Sequence, residues 1–199
     1  SSDLKNKSIE KVLKWFSMME MKKLKEMEND PEWFSIMQNE KYKYPKTKKE
    51  LFELKALYLC CFCNRVPKEI SHIKNIKKLV VSFNGINGVL PKEIKYFKHL
   101  EELSLELTSL EKIHPNLYKL KKLKELNLAV NSFNDIPKGI SNLKNLEELN
   151  LGLYSEKLPK DIVQLKKLNT IKIDTYKLTK EQQKWLEPLN VVREGIIGI

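Results

Sequence analysis

The sequence predicts an α/β solenoid, in which a parallel β-sheet is assembled one short strand at a time along the concave side of a curved stack, with a helical cover at the N-terminal end. Three observations carry this expectation. An apolar pattern returns six times in register, starting at residues 54, 76, 100, 123, 146 and 168 with steps of 22, 24, 23, 23 and 22, and a fixed period of this length marks a repeat architecture. Within each copy two apolar residues alternate with a polar one, as in Leu126-Asn127-Leu128, which is the period of a strand with one buried face. A proline recurs at one place in four copies, Pro67, Pro91, Pro137 and Pro159, where it would break any long helix threading the leucines.

Taken in order, residues 1–43 read as an N-terminal helical cap. Ile9, Val12, Leu13, Phe16, Leu24 and Met27 fall at helical spacing within residues 8–29. Asp30 then suits the N-cap of a second helix, with Pro31 at its first position and Trp33, Phe34, Ile36 and Met37 as its apolar surface. A solenoid exposes core at its ends and needs such covers; a Met-rich, aromatic groove for a partner is the alternative use of the same stripe. Residues 44–199 hold about six repeats, entered through a half-repeat from Tyr44-Pro45 to Leu54. Thr179-Lys180-Glu181-Gln182 has the form of a capping box opening a closing helix before Pro188, and Asn190-Val191-Val192 suits a last strand.

The pattern L-x-x-L-x-L-x-x-N-x-L stands intact from Ile76 to Ile86 and from Leu123 to Phe133. On these residues the chain resembles the leucine-rich repeat family over about residues 44–192. Its roughly 23-residue repeats are similar to the bacterial and intracellular kind, with one plant-type-like copy in Asn84 to Pro91, "NGINGVLP". The abundance of Lys, Asn and Ile points to an AT-rich genome and a bacterial source. The resemblance implies a horseshoe solenoid with a concave parallel sheet, whose function is to bind a protein partner. At the turn leaving each strand, an asparagine amide can satisfy backbone groups that the strand releases, as Asn84 and Asn131 are placed to do. Thr108 can substitute in part, whereas Phe62, Tyr154 and Tyr176 at the same place cannot. The Ile-Pro-x-x-Ile-x-x-Leu half returns on the convex side as an extended piece and a helical turn.

Little in the sequence suggests catalysis. The composition, 41% hydrophobic and 32% charged, is that of an ordinary globular domain. No run of about 18 apolar residues spans a membrane. His72, His99 and His114 occupy three different repeat positions, and there is no Gly-rich phosphate loop or H-E-x-x-H. Cys60, Cys61 and Cys63 lack a second ligand pair for zinc and do not form a disulfide framework. No enzyme activity, cofactor or metal is therefore expected. The odd cysteine cluster favours a reducing, cytoplasmic compartment, while a start at Ser1 leaves a secreted or cell-surface location open.

The net charge of +11 needs a location before it has meaning. Lysines follow the prolines at Lys46, Lys68, Lys92, Lys138 and Lys160 and recur at Lys74, Lys98, Lys121, Lys144 and Lys166, both columns off the strand face. The outward strand positions form three columns. The first is Ala56, Lys78, Glu102, Glu125, Glu148 and Thr170; the second is Tyr58, Val80, Ser104, Asn127, Asn150 and Lys172; the third is Cys60, Ser82, Glu106, Ala129, Gly152 and Asp174. This face is acidic in the middle, the wrong sign for nucleic acid. The expected function is a monomeric, non-enzymatic protein-binding module. Its partner site comprises Tyr58, Val80 and Phe83 as an apolar anchor, Glu102, Glu106, Glu125 and Glu148 as an acidic field, and Ser104, Asn127 and Asn150 beside them. The alternative is a basic surface that binds nucleic acid, acidic polysaccharide or anionic membrane through the convex lysines.

Overall fold

The computed structural model describes residues 2–27, 43–59, 67–81, 88–90, 92–133, 136, 138–152, 157–176 and 178–192, with side chains 6–19 in the first helix. The expected second helix (Asp30 to Met37), the Leu24 and Met27 side chains, the cysteine cluster and Phe62 lie outside the described residues. So do Ser82, Phe83, Asn84, Pro91, Pro137 and Tyr154. The chain begins with α1 (Ser2–Met27) and α2 (Lys48–Glu53) and continues through β1 (Ala56–Leu59), β2 (Lys78–Val81), β3 (Gly88–Val89), β4 (Glu102–Ser104) and β5 (Leu110–Lys112). Then come β6 (Glu125–Asn127), β7 (Glu148–Gly152), β8 (Thr170–Ile173), α3 (Lys180–Leu186) and β9 (Asn190–Val192).

Seven strands form one parallel sheet in the order β1-β2-β4-β6-β7-β8-β9. Leu57, Leu79, Leu103, Leu126, Leu149, Ile171 and Val191 lie side by side across it, one from each repeat, as the repeat register requires. All but the terminal Val191 are buried. A fully buried aliphatic side chain contributes about 1.5–3 kcal/mol, so the ladder of identical positions is the main support of the stack. On the opposite side the first five repeats close with a short 3-10 turn, at Lys68–His72, Lys92–Tyr96, Pro115–Lys119, Ile140–Asn142 and Lys160–Gln164, and the sixth with α3. These turns bury Ile70, Ile94, Leu117, Ile140 and Ile162 against the leucines. Pro67 and Pro159 stand immediately before two of the turns with φ −68 and −71, the value to which the proline ring holds the chain without a donor of its own.

Asn131 does what the sequence assigned to it. The side chain is buried; its Nδ2 donates to the carbonyls of Leu105 (2.6 Å), Leu128 (2.9 Å) and Ala129 (3.2 Å). Its Oδ1 accepts from the amides of Leu110 (2.8 Å) and Thr108 (3.2 Å). Thr108 substitutes only in part: its hydroxyl lies 2.9 Å from the Leu105 carbonyl and 3.0 Å from Asn131 Oδ1, with one proton for both. The residue before each of these turn positions is left-handed, Leu107 at φ 56 and Val130 at φ 53, which costs an L-residue roughly 1–2 kcal/mol.

That left-handed turn corrects the third outward column. β4 and β6 end at Ser104 and Asn127, so Glu106 is an exposed turn residue, while Ala129 is buried and Gly152 takes φ 62. A Cβ on Gly152 would stand 3.1 Å from that of Ala129. The two turns stack too closely there for any larger side chain, so at Ala129 and Gly152 the column is a packing seam. A second sheet, β3 with β5, stands where the repeat pattern predicts only an extended piece; it continues through Ser132, whose amide donates to the Leu110 carbonyl at 2.9 Å.

Beside the sheet, Lys77, Glu101 and Lys124 occupy one repeat position in successive copies. Glu101 accepts from Lys77 at 3.0 Å and from Lys124 at 2.8 Å. The hydrogen bond from Lys124, with that from Lys77, pulls its carboxyl down to about 2. Because the folded pKa lies below the ordinary 4.5, the stabilisation is complete above that ordinary value and is lost as pH falls towards 2. Glu101→Gln should cost about 1 kcal/mol at neutral pH, the upper end for exposed ion pairs. Urea titrations at pH 7 and pH 3 check this, since the deficit should shrink at the lower pH.

At the N-terminal end α1 lies against α2 and the first 3-10 turn. It buries Ile9, Val12, Trp15, Phe16 and Met19, with Phe16 5.8 Å from the Tyr44 ring and Lys11 paired to Glu69 at 2.9 Å. At the other end the expected capping box is present: Thr179 Oγ1 accepts from the Gln182 amide at 3.2 Å, and Gln182 Oε1 accepts from the Thr179 amide at 2.9 Å.

Candidate functional site

Strand pleating places residues 56, 78, 102, 125, 148 and 170 on the solvent side of the sheet, directly beside one another. Over their middle lies a shallow cavity of about 350 Å³. Of the residues expected from sequence, Val80, Glu102, Ser104, Glu125, Asn127, Glu148 and Asn150 all line it. Tyr58 does not; it stands on β1, beyond the cavity, half-buried and packed against the core. Glu106 sits past the end of β4, where its Oε2 accepts from Asn127 Nδ2 at 2.9 Å.

The electrostatics are less uniform than an acidic field. Lys78, also in the lining, donates to Glu102, and this bond raises the Lys78 pKa. Lys172 closes the other end, so cations flank a row of three carboxylates. Glu125, in the centre, has its pKa raised by burial and then by Glu102 and Glu148. Like charges directly opposite one another on neighbouring strands repel. The asparagines are half committed: Asn127 Oδ1 accepts from the Ala129 amide at 3.0 Å, and Asn150 Oδ1 accepts from the Gly152 amide at 3.1 Å. Both bonds brace the tight turns and hold the side chains along the sheet.

To the expected site the structure adds Lys78, Thr170 and Lys172, outward positions at its margin whose single polar or charged side chains carry no signal in the sequence. Leu107 and Val130 were missed altogether. Both are left-handed and exposed, 54% and 42%, in adjacent copies of the turn that follows the strand. Apolar residues in a turn, two repeats running, are the signal that could have found them. The histidines occupy separate places: His72 ends a 3-10 turn, His99 lies 3.4 Å from Lys122 Nζ, and His114 Nδ1 accepts from the Asn116 amide at 3.1 Å. Among the described residues no three His, Cys, Asp or Glu side chains converge as a metal site would require, and no helix is long and apolar enough to cross a membrane.

This succession of strand, asparagine turn and 3-10 return defines a class of solenoid binding scaffolds. The family model for a leucine-rich repeat region matches residues 82–190, more than half of the chain, and the chain belongs to that family. No curated protein matches it in sequence. Among solved structures, a leucine-rich repeat protein of Leptospira interrogans is similar at 25% identity and a TM-score of 0.52, over 79% of this chain and 48% of its own. The plant peptide hormone receptor RGFR1, solved in complex with RGF2, is similar at 24% identity and TM-score 0.51, over 71% of this chain and 24% of the receptor. Internalin C2 of Listeria monocytogenes follows at 18% identity and TM-score 0.50, over 74% and 68%. The chain thus spans about half the length of the Leptospira protein. The family is a general scaffold for protein–protein interaction, and its members are generally binding modules rather than enzymes.

Proposed function

We propose that this chain binds a protein partner on its concave sheet, and that the glutamate row selects a cationic segment of that partner. The observation that supports the reading most directly is the stacking of Glu102, Glu125 and Glu148 on adjacent strands, with the central carboxyl protonating more readily than usual. Such a row costs stability in the free protein and becomes favourable when a cation enters. Ser104, Asn127 and Asn150 offer amide and hydroxyl groups beside it. Leu107 and Val130, at the rim one turn beyond, join Val80 as apolar contact. A plant receptor of the same fold is known in complex with a peptide hormone, which is consistent with a partner segment of peptide size.

A random-peptide display selection against the whole chain tests this, with counter-selection on a Glu125→Lys/Glu148→Lys variant. Enriched peptides should carry Lys or Arg and lose roughly 30-fold or more in affinity on that variant, the loss associated with about 2 kcal/mol. Replacing Lys92, Lys138 and Lys160, all exposed on the convex side, with serine should leave their affinity within about threefold. Selected peptides without basic residues, or with equal affinity for the charge-reversed variant, would defeat the proposal.

A companion measurement separates binding from folding. Removing the repulsion by Glu125→Gln should raise stability by a few tenths of a kcal/mol, while weakening the same peptides. In the wild type, affinity should fall as pH drops through the raised Glu125 pKa, because protonation removes the charge that the ligand needs. A variant that is less stable yet binds unchanged would contradict both parts.

A further inference from the structure

A second, larger cavity, about 740 Å³, lies on the convex side, walled by Ser8 of α1 and by the returns of three successive repeats. Its lining brings together Lys68, Lys95, Lys98, Lys119, Lys121 and Lys122. Three of these come from the two lysine columns visible in the sequence, and the other three fill the gap between them. Four lysines outside the groove meet carboxylates: Lys11 with Glu69, Lys77 and Lys124 with Glu101, and Lys78 with Glu102. Among the described residues none of the six groove lysines forms an ion pair. Lys121 donates to the Asn142 carbonyl at 3.1 Å, Lys122 lies 3.4 Å from His99 Nδ1, and Lys95 sits 5.3 Å above the Tyr96 ring. The carboxylate in the lining, Glu69, is already held by Lys11.

We propose that this groove binds a compact, multiply phosphorylated small molecule. Six like charges converging on one concavity repel each other in the free protein, and a concave wall concentrates their field on whatever enters. Lysine binds phosphate oxygens as a point charge, without needing the planar fork that favours arginine for carboxylates. The volume falls in the range of about 300–1,000 Å³ typical of small-molecule sites. Single-stranded nucleic acid would want open aromatic faces for stacking, but Tyr96 is half-buried beneath Lys95, and the lining otherwise offers only the His72 imidazole. A membrane surface would want an apolar anchor, and among the described residues the exposed large apolar side chains, Met18, Phe52, Leu107, Val130, Val163 and Tyr176, stand outside the groove. The local field is visible at neighbouring His99, whose pKa is lowered by burial and then by Lys122, Lys77 and Lys74, against a hydrogen bond to the Ser71 backbone.

Calorimetry on the whole chain with inositol hexakisphosphate as the probe, at physiological ionic strength, tests the assignment. The probe should bind roughly tenfold or more tightly than inorganic phosphate, since several lysines act on it at once. Lys95→Ser/Lys119→Ser/Lys122→Ser should lose roughly 30-fold, while Lys144→Ser/Lys160→Ser/Lys166→Ser, which removes equal charge from the same side, should stay within about threefold. In the unaltered protein, ring-nitrogen NMR of His99 should show its pKa rising when the probe binds. This readout does not depend on any variant folding. Equal losses in the two triple variants, or no preference over inorganic phosphate, would reduce the groove to diffuse charge and overturn the proposal. An unmoved His99 would overturn it as well. Tighter binding of phosphoinositide vesicles or of a single-stranded oligonucleotide would overturn it in favour of a membrane or a nucleic acid.

Discussion

Asn131→Ala is expected to lower the unfolding free energy by about 3 kcal/mol or more, since it leaves several buried backbone groups unpaired at about 1–3 kcal/mol each. The buried amide serves three carbonyls and two backbone amides drawn from two consecutive repeats. The lesion therefore falls on an interface between repeats, where a solenoid's cooperativity resides. Among the described residues no other side chain is placed to take over, because the Thr108 hydroxyl itself leans on Asn131 Oδ1. Asn131→Asp, which keeps the acceptor and loses the donors, should be nearly as harmful, with a charge facing carbonyls. Urea denaturation followed by far-UV circular dichroism measures both. A loss below about 1 kcal/mol, the net worth of one ordinary hydrogen bond, would show that the turn holds without the side chain.

Deleting residues 1–43 is expected to cause aggregation or loss of a single cooperative transition. Ile9, Val12, Trp15, Phe16 and Met19 are buried, and at about 1.5–3 kcal/mol each they contribute roughly as much as the whole margin of a typical domain. Their removal would bare the start of the stack. Phe16→Ala gives a milder version: with no exposure in the folded chain, its loss should cost about 3–5 kcal/mol. Light scattering and thermal melts on both proteins provide the check. A truncated chain that remains monodisperse with an unchanged melting temperature would show that the helix covers nothing the repeats need.

Much of this protein is legible in its sequence because a repeat states the same information many times. The alignment of Leu57 with Leu79, Leu103, Leu126, Leu149 and Ile171 follows from spacing alone, and the same register named the cavity residues Glu102, Ser104, Glu125, Asn127, Glu148 and Asn150. The third column failed at Ala129, past the end of β6, and at Gly152, where β7 ends with a left-handed residue. Alternation holds only while the backbone is extended, and the left-handed turn at Val130 ends it one residue early.

What the sequence by itself determined, then, is each residue's place within its repeat: which side chains enter the core, where the chain turns, and which asparagine holds the turn. These are set by φ and ψ over a few neighbouring residues. Only the tertiary structure decided how charges add between repeats. Glu101 answers Lys77 and Lys124, Lys78 neutralises one end of the glutamate row while Glu125 stays crowded, and six lysines from three repeats face one groove without a carboxylate partner among the described residues. Electrostatic energy depends on distances across the stack between residues more than twenty positions apart in the chain, and those distances exist only once the strands have paired.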